Sequence, residues 1–226
     1  MLFILDTADL ETIRYCNEYY PIAGVTTNPA IIALEKSDFW SLIKEIRSVI
    51  GEEKMLFVQT VQSKADKMVE EAKLLRRELG ENFYVKIPAN EEGIKATAEL
   101  KKLGIKVTVT AIFTPMQALM AARAGASYVA PYVNKTDNVF GDGTEVVAEI
   151  VKLFELHDLD CKVLAASFRN TAQIYRCAAS GCHSVTLTAE SLKTLLSNPM
   201  TELVVEDFDN KWEGAYGDKK ILDFEV

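Results

Sequence analysis

Short β-branched apolar runs recur along the chain, each followed by a stretch whose apolar residues return every three or four positions. The runs lie at 2–6, 22–26, 55–60, 83–87, 106–110, 127–130, 162–166 and 184–187. They are nearly continuous rather than alternating, as expected of parallel strands covered on both faces. Ala65, Met68, Ala72, Leu75 and Leu79 mark one side of a helix, with Ser63 as its expected N-cap and Gly80 as its expected C-cap. Similar stripes run through Ile94, Ala98, Leu100 and Leu103 before Gly104, and through Met116, Leu119 and Ala122 before Gly125. Val146, Val147, Ile150, Val151 and Phe154 form another. Strand–helix alternation over eight units predicts an α/β fold, a (β/α)8 TIM barrel over residues 1–200 with a C-terminal helical extension over 201–226. A doubly wound open sheet is the alternative, but the G-x-G-x-x-G expected after its first strand is missing.

Composition narrows the function classes. The 226 residues are 49% hydrophobic and 26% charged, ordinary for a soluble globular chain and wrong for a disordered or fibrous one. The net charge of −8 disfavours nucleic acid as a partner, because phosphate contacts need clustered cations. Eight acids and three bases in residues 202–226 account for −5 of it, so the body can still hold a basic pocket for a small anion. The most apolar stretch, 111–133, contains Pro115, Gln117, Arg123, Gly125 and Pro131, which argues against a membrane span. The run Met1–Asp6 is too short for a signal peptide. Cys16, Cys161, Cys177 and Cys182 lack CxxC spacing and suggest a reducing compartment. A cytoplasmic protein is expected.

A barrel places its chemistry at the C-terminal ends of its strands, so a polar residue there is a candidate. Asp6 ends the first run as either a functional carboxylate or a helix cap. Thr26, Thr27, Asn28 and Pro29 end the second, as a turn or as hydrogen-bonding groups for a polyhydroxylated substrate. Gln59 ends the third, as a site group or a structural amide. Lys86 lies among apolar residues at the end of the fourth. Burial lowers a lysine's pKa, and a neutral amine can attack a carbonyl to form a Schiff base. The alternative is a lysine that snorkels to solvent. Lys106 and Lys162, at strand starts, should lie on the inert end. Thr110, Tyr132, Ser167 and Arg169 follow the fifth, sixth and seventh runs. A phenol near an amine can move protons, and Arg169 with Lys135 supplies cations for phosphate. His157 and His183 precede strands, so a catalytic metal is not expected. Gly141-Asp142-Gly143 reads as a turn rather than a phosphate cradle.

Taken together these strand ends resemble the transaldolase family. The resemblance is carried by Ala23-Gly24-Val25-Thr26-Thr27-Asn28-Pro29, Val85-Lys86-Ile87-Pro88, Ala130-Pro131-Tyr132-Val133-Asn134 and Ala165-Ala166-Ser167-Phe168-Arg169. It runs in order from residue 2 to about 217, and is strongest toward the fructose-6-phosphate aldolase branch. That branch usually has Gln and Tyr where this chain has Gln59 and Tyr132; similar transaldolases usually have Glu and Phe. The resemblance implies Schiff-base catalysis by Lys86, with no metal or other cofactor. Asp6 would move protons, and Gln59, Thr110 and Tyr132 would hold a water. Thr26, Asn28 and Ser167 would bind the sugar, with Arg169 and Lys135 on its phosphate. Lys135 stands where many relatives have Arg. The implied reaction is cleavage or formation of fructose 6-phosphate from dihydroxyacetone and glyceraldehyde 3-phosphate. The alternatives are transaldolase transfer, a barrel isomerase using Asp6, and a sugar-phosphate binder without turnover. Small-subunit relatives form pentamers that pair into decamers, which implies a homo-oligomer here. Phe208, Trp212, Tyr216 and Phe224 would anchor the extension on a neighbour.

Overall fold

The computed structural model describes residues 1–225. The chain forms two compact units, Met1–Ser191 and a second beginning at Leu192. In the first, eight parallel strands close in chain order into a barrel. They are β1 (Leu2–Asp6), β2 (Ile22–Thr26), β3 (Met55–Gln59), β4 (Phe83–Pro88), β5 (Val107–Ile112), β6 (Tyr128–Pro131), β7 (Lys162–Ala165) and β8 (Ser184–Leu187). The expected TIM-barrel fold is therefore observed. The helices are α1 (Leu10–Tyr19), α2 (Pro29–Leu34), α3 (Phe39–Ile50), α4 (Ala65–Leu79), α5 (Glu91–Lys102), α6 (Pro115–Arg123), α7 (Val133–Asp137), α8 (Gly143–Leu156), α9 (Thr171–Ala179), α10 (Ala189–Leu196) and α11 (Pro199–Tyr216).

Strand alternation fills the barrel in layers. Ile4, Phe57, Tyr128 and Leu164 meet at its centre, with Ala23, Met55 and Tyr84 against them. Phe57 stacks on Tyr84 at 4.8 Å, and Tyr128 meets both rings edge-on. Burial pushes the Tyr128 phenol up to about 12, so it serves as packing rather than as an acid. Two residues farther along the same inward faces stand Asp6, Lys86, Ala130, Ala166 and, on β8 above Ser184, Thr186. Each is roughly 6–7 Å closer to the C-terminal rim than the plug beneath it. Gly24 permits the closure of β2 on β3, because a Cβ there would meet the Met55 carbonyl oxygen at 2.2 Å.

Three local expectations are corrected. Ser63 does not cap α4: Lys64 holds the cap position without a side-chain bond, and Glu92 of α5 accepts from the Ala65 amide at 2.8 Å. The buried side of α5 is Gly93, Ala96, Thr97 and Leu100, rather than the stripe through Ile94 and Ala98. On α6, Ala118 and Ala121 face inward, and Met116 is exposed. Small residues win these positions because the helices lie close on the sheet. A Cβ on Gly93 would sit 1.9 Å from the Pro88 carbonyl oxygen. Gly80 ends α4 as expected, and α8 buries Val147, Ile150, Val151 and Phe154.

The second unit is dominated by α11. Its far end closes on itself, with Trp212 Nε1 donating to the Lys219 carbonyl at 2.7 Å. Trp212, Tyr216 and Phe224 cluster there. Leu203, Val205 and Phe208 remain exposed. Among the described residues no helix is long and apolar enough to cross a membrane. All four cysteines are free and buried.

Candidate active site

The layer above the aromatic plug opens into a cavity of about 200 Å³ at the C-terminal ends of the strands. Asp6, Thr26, Asn28, Lys86, Thr110, Tyr132, Lys135 and Ser167 all line it, together with Thr186. Two larger clefts lie between helices, bordered by α3 and α4 and by α5 and α6, and both are mainly apolar. The strand-end cavity is smaller, but it alone among these three brings a buried amine, a carboxylate and several hydroxyls together. Convergent polar groups of that kind mark a site better than volume does.

Lys86 is 6% exposed, and its Nζ donates to the Thr27 carbonyl at 2.7 Å. Burial depresses its pKa, and the charge of Asp6 pulls it partly back. Removal from water is the larger influence because the charged ammonium loses its hydration. A lowered pKa raises the share of neutral amine, whose lone pair is available for a carbonyl carbon.

Asp6 is not the cap of α1. Asp9 takes that role, accepting from the Thr12 amide at 2.8 Å. Asp6 instead accepts from the Thr26 hydroxyl at 2.8 Å through Oδ1. Thr26 is fully buried, and its hydroxyl also meets that of Thr186. Thr26 lines the cavity as expected of a site residue, and its hydroxyl proton is given to Asp6. Asn28 both caps a helix and faces the cavity. Its Oδ1 caps α2 by accepting from the Ala30 and Ile31 amides, while the residue borders the cavity. Pro29 follows at the first helical position, where its missing N–H costs nothing.

On the opposite wall Thr110 donates to the Tyr132 phenol oxygen at 3.2 Å. That polarity leaves the phenol proton free for another acceptor. Lys135 Nζ lies 4.6 Å from the centre of the Tyr132 ring, a cation–π arrangement. Two backbone irregularities flank this wall. Ala111 (φ 59°) forms a bulge between Thr110 and Ile112, and Ser167 has φ 64°. Left-handed backbone at non-glycine residues is costly, and surrounding bonds must hold it. The Asn134 amide donates to the Ser167 carbonyl at 2.6 Å and supplies part of that restraint.

The sequence matches the transaldolase/fructose-6-phosphate aldolase family over residues 3–220. The chain belongs to that family. Its barrel is also similar to solved structures of low sequence identity, which support the fold alone. A flavocytochrome b2 variant with benzoylformate is 15% identical with a TM-score of 0.62, matching 83% of this chain and 57% of its own. A KDPGal structure is 15% identical with a TM-score of 0.56, matching 83% of this chain and 82% of its own. A mandelate oxidase variant is 14% identical with a TM-score of 0.57, matching 80% and 59%. This chain therefore spans less than two thirds of the flavocytochrome chain.

Two of the expected site residues of this transaldolase/aldolase-family barrel, Gln59 and Arg169, do not line the cavity. Gln59 pairs with Lys86 across β3 and β4, yet it borders the cleft between α3 and α4 rather than the cavity. The chain beyond β3 is drawn toward α4, where Glu71 accepts from the Val61 amide at 2.9 Å. Arg169 is exposed and does not line the cavity. Its amide donates to Gln173 Oε1 at 2.7 Å, and Gln173 in turn donates to Asp137. Gly141 is a bend, and Asp142 caps α8, which begins at Gly143. Conversely, Thr186 escaped the sequence reading. The test of polar strand ends, applied to Ser184-Val185-Thr186-Leu187, would have found it.

Proposed function

We propose that this protein is a class I aldolase that cleaves or forms fructose 6-phosphate, with dihydroxyacetone and glyceraldehyde 3-phosphate as its partners in the reaction. The observation that carries this reading is the buried, pKa-depressed Lys86 amine in one cavity with Asp6 and the Thr110–Tyr132 pair. The Lys86 amine adds to the C2 ketone, and loss of water leaves a protonated imine. Asp6, half-buried with Oδ1 held by Thr26, accepts the C4 hydroxyl proton. The C3–C4 electron pair moves into the imine, glyceraldehyde 3-phosphate departs, and an enamine remains. A water held by the Thr110–Tyr132 pair delivers a proton to C3. Hydrolysis then releases dihydroxyacetone and restores the amine. The adduct itself serves as the electron sink, so the reaction requires no metal or other cofactor.

Asn28 and Ser167 serve the donor hydroxyls in this reading. Lys135, inside the cavity, carries the phosphate, and Arg169 contributes from the rim. The exposed apolar residues of α11, Leu203, Val205 and Phe208, support association with a second copy of the chain. Light scattering of the chain shortened near residue 200 tests that association. An unchanged oligomer would exclude the extension from the interface.

Transaldolase transfer is the second reading, and the position of Gln59 favours keeping it. Without Gln59 the water-holding set is reduced to Thr110 and Tyr132, and an enamine sheltered from water waits for an acceptor aldehyde. Release of glyceraldehyde 3-phosphate from fructose 6-phosphate, followed with and without erythrose 4-phosphate, separates the two. Release without acceptor supports the aldolase. Release only with acceptor, accompanied by sedoheptulose 7-phosphate, makes the enzyme a transaldolase.

A further inference from the structure

We propose that Thr186 is a positioning residue that acts on Asp6 through Thr26. The inference rests on the Schiff-base reading above. Thr26 has one hydroxyl proton, and it donates that proton to Asp6 Oδ1 at 2.8 Å. The contact between the Thr26 and Thr186 hydroxyls therefore has a single polarity, with Thr186 donating. The result is a directed chain, Thr186 to Thr26 to Asp6, which joins β8 to β2 above β1. Thr186 is level with Ile4 across the β8–β1 pair, while Thr26 is level with Asp6 across the β1–β2 pair. The tilt of the strands thus brings β8 and β2 hydroxyls together although β1 separates them in the sheet.

Both threonines are at least nine-tenths buried, so water does not readily replace either bond. With Thr186 as its donor, the Thr26 oxygen has its proton aimed at Asp6 and cannot turn toward substrate. A donor to Thr26 also polarises the Thr26 hydroxyl and strengthens the bond it gives. Asp6 then presents one held oxygen and one oxygen directed to chemistry. Thr186 itself makes no covalent or proton-transfer step.

The test compares wild type with Thr186→Val, Thr186→Ser, Thr26→Val and the double valine variant. It measures kcat and KM for fructose 6-phosphate, borohydride trapping at Lys86 by mass spectrometry, and thermal unfolding. Thr186→Val should lower kcat roughly tenfold, the scale of one lost buried hydrogen bond. KM and the trapped fraction should stay within about twofold, and Thr186→Ser should restore kcat. The double variant should lose little beyond Thr26→Val, because both act through one bond to Asp6. The inference is overturned if Thr186→Val keeps full kcat, or if Thr186→Ser is as impaired as Thr186→Val. Additive losses in the double variant also overturn it, and Thr186→Ala replaces Thr186→Val in every comparison if the valine variant folds poorly. Failure of wild type to trap at Lys86 is a different result, which removes the Schiff-base reading itself.

Discussion

The two ends of the barrel use similar residues for different purposes. At the C-terminal end Lys86 is buried beside Asp6, with its pKa depressed. At the other end Lys162 is exposed at the first position of β7, next to His183. Burial and the nearby Lys162 charge lower the His183 pKa, and its Nδ1 accepts from the Val163 amide at 3.2 Å. Lys106 rests 5.0 Å from the centre of the Tyr84 ring. The residue types differ little between the ends. Their height on the barrel decides whether a lysine shares a cavity with a carboxylate or rests on an aromatic face near solvent.

The largest test of that comparison is Lys86→Met against Lys106→Met and Lys162→Met. Release of glyceraldehyde 3-phosphate should fall to background in the first and stay within about twofold in the others. Comparable loss in Lys106→Met would erase the distinction between the ends. Next in size is Asp6→Asn, which should lower kcat by about 10²–10⁴. Borohydride should still trap substrate on Lys86, because imine formation does not require the C4 proton to leave. Loss of trapping would move Asp6 into the first step.

A smaller effect distinguishes Lys135 from Arg169 near the C-terminal ends of the strands. Lys135→Met should raise KM for fructose 6-phosphate roughly tenfold, the scale of one charged hydrogen bond. Arg169→Ala should raise it less. Neither should change KM for dihydroxyacetone, which lacks a phosphate. A larger effect from Arg169 would show its loop folding over the bound substrate.

The smallest effect is on stability. Burial lowers the folded-state pKa of Lys86 below 10.5. Below that lowered value both states carry the proton, and folding bears the full cost of a buried charge. Between the lowered value and 10.5 the unfolded chain holds more protons, so stability rises with pH. Lys86→Met should therefore unfold at a higher temperature than wild type near neutral pH, with the gap closing as pH approaches 10.5. A constant gap would mean that Lys86 is not desolvated.

Much of this was legible before folding. Burial on both faces demands continuous apolar runs, so all eight strands stood out within one or two residues. Lys86 and Asp6 stood out because a charge inside such a run is costly. Helix phase was less legible on α5 and α6, where close approach to the sheet favours Gly93, Ala96, Ala118 and Ala121 over larger apolar residues. Ser63 failed as a cap because its helix is capped from α5, twenty-seven residues beyond Ala65.

The order of strands, the barrel and the level of each strand-end residue follow from local pattern, because hydrophobic period and strand polarity are properties of short segments. The direction of each side chain does not. Gln59 borders the α3–α4 cleft next to Glu71, Arg169 is exposed beside the Gln173 anchor, and Thr26 gives its proton to Asp6. Thr186 meets Thr26 only because the barrel's tilt brings a β8 hydroxyl to a β2 hydroxyl past β1, across 160 residues of chain. Such contacts depend on register and closure around the whole ring, and no short segment contains that information.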